Sequence, residues 1–81
     1  MNTHPTAVLV SYPSPQARFV ATHRKAAAQA HAAAHRWAQL AERFLEQGDE
    51  PRAARCILQS SAATDEAIAL ETAADRAQSL S

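Results

Sequence analysis

The chain has one glycine in 81 residues, Gly48, and it stands between two long stretches free of helix breakers. Residues 16–47 and 52–81 contain neither Gly nor Pro. Ala supplies 21 of the 81 positions, and Ala favours helix because its methyl loses no rotamer freedom there. Two long helices joined by one sharp reversal are what such a chain can form. Gly48 can take the left-handed backbone that closes a helix, which a Cβ would oppose. Asp49 can then cap a second helix through its carboxylate, and Glu50 and Pro51 suit a first turn, where a missing amide hydrogen does no harm. Before the turn, Trp37, Leu40, Ala41, Phe44 and Leu45 recur at the spacing of one helical face; after it, Ala53, Ala54, Ile57 and Leu58 do the same. A short link makes the helices antiparallel neighbours. The fold class predicted is all-α: a long antiparallel helical hairpin, able to pair into a four-helix bundle. Ser14-Pro15 marks its start, with helices over about 15–47 and about 50–78 and a turn at 48–49.

Trp37, Leu40, Ala41, Phe44, Gly48, Ala53 and Ile57 also fall at the spacing of a tetratricopeptide repeat, which this segment, residues 34–67, resembles. In that family large and small residues interlock two antiparallel helices. The departures are Ser60 in place of the family's Ala and Asp65 in place of its Pro. Continuing the register puts Glu71, Ala74 and Asp75 where large, large and small residues belong, so the resemblance covers one repeat. One repeat lacks the family's concave peptide groove. In length, hairpin form and Gly-Asp turn the chain is also similar to the small co-chaperones of type III secretion needle subunits. Ala67-Ile68-Ala69 resembles their small-and-aliphatic second helix.

The predicted seam of the first helix is Phe19, His23, Ala26, Ala30, Ala33, Trp37, Leu40 and Phe44, whose alternating steps of four and three follow a heptad. Beside it runs a second stripe, Val20, Ala27, Ala34 and Ala41. The seam of the second helix is Ala53, Ile57, Ser60, Ala63, Ala67, Leu70, Ala74 and Ala77, with Leu58 and Ile68 on its flank. A break near Ser61–Thr64 is the alternative to one continuous helix. Residues 1–13 differ in kind: Thr6–Tyr12 is a short apolar, β-branched run between Pro5 and Pro13. It reads as an extended or disordered arm, packed on the hairpin or on another molecule.

Charge is uneven along the chain although the net charge is +0. Residues 1–41 carry Arg18, Arg24, Lys25 and Arg36 and no acid, whereas residues 42–81 carry eight acids and four Arg. Antiparallel packing sets Arg24 and Lys25 level with Asp75, and His31 level with Glu66. Such pairs choose an arrangement more than they stabilise it, since an exposed pair is worth only ~0.2–1 kcal/mol.

No catalytic motif is present. A single Cys56 cannot form an internal disulfide and fits a reducing cytosol, so the expected location is cytoplasmic. Arg52 and Arg55 flank Cys56, but no base stands beside it, and it reads as a packed seam residue. His31 and His35 have the four-residue spacing of a chelating pair without a third ligand. No metal, cofactor or membrane span is expected, because no apolar run approaches ~20 residues.

The expected function is therefore non-enzymatic: a protein–protein interaction module such as a small adaptor, co-chaperone or inhibitor. Large apolar side chains are few, and an Ala seam buries little area to offset backbone entropy. Val20, Trp37, Leu45, Leu58 and Ile68 are the residues predicted to meet a helical partner, either another protein or a second copy. The alternative is a dimeric nucleic-acid-binding regulator using Arg18, Arg24, Lys25 and Arg36. Four basic side chains with acids set beside them make a weak phosphate surface.

Overall fold

The computed structural model describes residues 13–80, so the expected N-terminal arm lies, apart from Pro13, outside the described residues. The described chain is two α-helices, α1 (Pro15–Glu46) and α2 (Glu50–Ser79), packed against each other along their length. Ser14 caps α1: its side chain accepts the Ala17 amide at 3.0 Å and its carbonyl accepts the Arg18 amide at 3.0 Å. Pro15 occupies the first turn, where a helix has a spare amide position.

The reversal follows from the residues that make it. Gly48 has φ +78°. Its amide donates to Leu45 at 3.0 Å and the next amide, Asp49, donates to Phe44 at 2.8 Å. This pair of bonds satisfies the last carbonyls of α1 in a Schellman arrangement. Asp49 then starts α2, its carboxylate accepting the Arg52 amide at 3.2 Å. One residue thus finishes one helix and caps the next, which is why the link is so short.

α2 runs unbroken through Ser61–Thr64. Thr64 Oγ1 donates to the Ser60 carbonyl at 3.0 Å, a local bond that a helix accommodates.

Among the described residues the buried side chains are all small: Ala27, Ala30, Ala34 and Ala41 on α1, and Ala53, Cys56, Ala67 and Ala74 on α2. They and their half-buried neighbours keep a seven-residue repeat along both helices. On α1 the positions are Val20, His23, Ala27, Ala30, Ala34, Ala41 and Phe44, with Trp37 at the matching step but 38% exposed. The predicted seam is corrected at every second step: Ala27, Ala34 and Ala41 are buried where Ala26, Ala33 and Leu40 are only half-buried. Phe19 is exposed, and Val20, Ala27, Ala34 and Ala41, expected as a flanking stripe, form the interior. With Ala at almost every mid-helix position, hydrophobicity cannot choose between adjacent stripes, and the one that lets the helices approach closest wins. On α2 one predicted seam residue is displaced: Cys56 is buried and Ile57 is exposed. A β-branched side chain is too bulky for the close approach that Ala53 and Cys56 permit. Ser60 lies in the seam and donates to the Ala34 carbonyl.

Candidate functional site

A narrow Ala seam leaves the larger side chains at its two margins, so the hairpin has two long faces and both are open. Contacts fix which residues share a face. On the first face, Arg24 Nη2 donates to Asp75 Oδ1 at 3.0 Å and to Gln78 Oε1 at 2.7 Å. His31 Nε2 lies 3.3 Å from Glu71 Oε2. His31 therefore pairs with Glu71 and not with Glu66, which the heptad places on the other side. Towards the turn on this same face, Ala38, Glu42, Leu45, Ile57 and Ser61 line one hollow. Its open-end counterpart is lined by Ala17, Val20, Ala21, Arg24 and Gln78, beside which Gln16 donates to the Ala77 carbonyl.

The second face carries the aromatics. Arg36, Trp37 and Leu40 line one hollow of α1, and Arg36, Gln39, Leu40 and Arg43 the adjoining one. The Arg52 guanidinium lies 5.8 Å above the Phe44 ring and 3.4 Å from the Asp49 carboxylate. Phe19 stacks on His23 with centroids 3.8 Å apart, and His23 Nδ1 is 2.9 Å from the Phe19 carbonyl.

The heptad sorts charge by face. The second face takes Arg36, Arg43, Arg52, Arg55 and Arg76 against Glu66 alone. The first takes Glu42, Glu50, Glu71 and Asp75 against Arg24 alone. Arg18, Lys25, Glu46 and Asp65 stand on the outer edges. At the open end of the first face the charges neutralise one another through the Arg24 and His31 pairs. Towards the turn on this face no such pair occurs among the described residues, and Glu42 and Glu50 flank Leu45 and Ile57.

The five predicted partner residues do not form a single stripe. Leu45 and Ile68 belong to the acidic face, 52% and 53% exposed; Trp37 belongs to the basic face; Leu58, 70% exposed, points away from both along α2. Val20 is half-buried in the seam. Ile57, assigned to the seam on sequence, is an exposed surface residue instead. Of the four basic residues proposed for nucleic acid, Arg24 is engaged by α2, Arg18 and Lys25 lie on the outer edge of α1, and Arg36 is on the basic face. They do not converge. Among the described residues no three of His, Cys, Asp and Glu come together as a metal cluster. Neither helix is long and apolar enough to cross a membrane. Comparison with protein-family models, curated proteins and solved structures finds no match.

Proposed function

We propose that this chain is a non-enzymatic protein–protein interaction module, a small adaptor, co-chaperone or inhibitor acting in the cytoplasm, which docks an exposed apolar helix face on a helical segment of a larger protein. The observation that carries the reading is the inversion of side-chain size across the hairpin. Every buried residue among those described is Ala or Cys, while Phe19, Trp37, Leu45, Ile57, Leu58 and Ile68 are exposed. Apolar area is the main favourable term in association as in folding. A hairpin that spends its small residues inside and displays its large ones holds most of that area in reserve. On the first face Leu45 and Ile57 share one hollow beside Glu42, and exposed apolar surface rimmed by polar groups marks an interaction site.

The experiment is capture from a native extract by the wild-type chain and by a Leu45→Glu/Ile57→Glu variant of equal helicity, altered at the two residues that share this hollow. The wild type retains a stoichiometric protein that the variant loses. Equal retention by both refutes docking through these residues.

A further inference from the structure

The two faces of the turn-proximal half are complementary to each other. Trp37 and Leu40 sit between Arg36 and Arg43, with Arg55 placed on the same face by the heptad of α2. On the opposite side Leu45 and Ile57 share a hollow with Glu42, and Glu50 stands one heptad before Ile57. Each face has an apolar centre and a charged rim, as association surfaces do, and the rims have opposite sign. We infer that copies of this chain stack on one another, the basic Trp37 face of one hairpin docking on the acidic Leu45–Ile57 face of the next.

The sign of the charges decides the symmetry. A two-fold dimer centred on the turn-proximal half of either face would set arginines against arginines or glutamates against glutamates, and like charges brought together across an interface oppose association. Basic against acidic is the pairing that avoids this. Because the two faces lie on opposite sides of a two-helix layer, the contact is heterologous and each copy added presents a fresh face to the next. The result is an open stack, or a ring where the rotation closes, and not a two-fold dimer. Stacking also covers the side chains that the Ala seam leaves in water, which is where a hairpin with no large buried side chain has stability to gain. The end copy of a stack keeps one face open, so docking on another protein remains compatible with it.

The test uses the full chain in sedimentation equilibrium over a concentration series at low and high salt, with two charge-reversed variants. Arg36→Glu/Arg43→Glu/Arg55→Glu makes both faces acidic; Glu42→Arg/Glu50→Arg makes both basic. All five positions are exposed, and circular dichroism checks that both variants keep wild-type helicity. The wild type is expected to form species larger than a dimer, weakened about tenfold or more by salt that screens the rims. Each variant alone is monomeric at the same concentrations, and an equimolar mixture of the two associates again. A wild type that is monomeric throughout, a closed dimer insensitive to salt, or a mixture that stays monomeric overturns the inference. A monomeric wild type would leave docking on a different protein standing, because that reading rests on its own capture experiment.

Discussion

Ser60 Oγ donates to the backbone carbonyl of Ala34 at 2.9 Å, joining the middle of α2 to the middle of α1. Both residues are seam positions. The hydroxyl reaches a helix carbonyl across the interface because Ala34 brings only a methyl group to hold the backbones apart. A net hydrogen bond is worth about 0.5–1.5 kcal/mol. Ser60→Ala gives back up to about 0.5 kcal/mol in helix propensity. The variant is expected to lose up to about 1 kcal/mol, lowering the melting temperature by at most about 4–8 °C. A variant melting at or above the wild type would show that the cross-helix bond is worth less than the propensity it displaces.

Ala67 and Ala74 expose no surface. They set how closely α2 can lie on α1. Ala67→Leu inserts three extra carbons into that contact and should destabilise by about 1–3 kcal/mol, the usual cost of overpacking. Ala69→Leu adds the same atoms to an exposed position of the same helix and should stay within about 0.5 kcal/mol of wild type. Urea midpoints of the two variants measure the difference. Equal midpoints would remove close packing at Ala67 as a determinant of the fold.

Gly48 has φ +78°, and a Cβ built there would meet nothing within 4 Å. The cost of a side chain is therefore confined to the backbone. Gly48→Val is expected to destabilise by about 1–2 kcal/mol, the cost of a left-handed L-residue. Gly48→Asn should cost less, because Asn enters this region more readily. Thermal melts that ranked Val at or above Asn would argue that the turn relaxes out of the left-handed conformation.

Asp49 holds two positions at once, closing α1 through its amide and capping α2 through its carboxylate. Asp49→Ala keeps the amide and loses the cap, together with the contact to Arg52. A loss of about 1 kcal/mol is expected, and Asp49→Ser should recover most of it by supplying another capping oxygen. Failure of Ser to do better than Ala would assign the effect to the Arg52 pair instead of the cap.

The hairpin was legible because its signals are local. Ser14-Pro15, Gly48-Asp49 and Pro51 mark ends, and nothing between them interrupts a helix. Arg24 opposite Asp75 followed from counting back from the turn. The face of α1 was harder to read. Phe19 and Val20, or Leu40 and Ala41, are adjacent apolar pairs, and between them residues 26–34 are Ala at seven of nine positions, so hydrophobic periodicity fits two registers. What separates them is size, since the smaller member of a pair goes inward when helices approach closely. The same rule selects Cys56 over Ile57. The sorting of charge was hidden by that ambiguity: Glu42 and Arg43 are neighbours in sequence and lie on opposite faces only once the seam is known.

Cys56 supplies a measure of how the hairpin opens. It is a free thiol, 5% exposed, held in the seam between Ala53 and Ser60. A thiol reagent reaches it only when the helices separate, so its labelling rate reports the population of the open form. α1 and α2 share one continuous seam, and no second cluster could stay folded after that seam parts. Opening should therefore involve the whole hairpin, and labelling should follow global stability wherever a substitution is made. Gly48→Val, at about 1–2 kcal/mol, is expected to speed labelling roughly 5–30-fold. Ala67→Leu, on the far side of Cys56 from the turn, should speed it in the same proportion to its own loss of stability. If Gly48→Val accelerates labelling and an equally destabilising change at Ala67 does not, the turn end opens by itself. If the native protein labels as fast as the chain in denaturant, Cys56 is accessible in solution and the seam at that level is not closed.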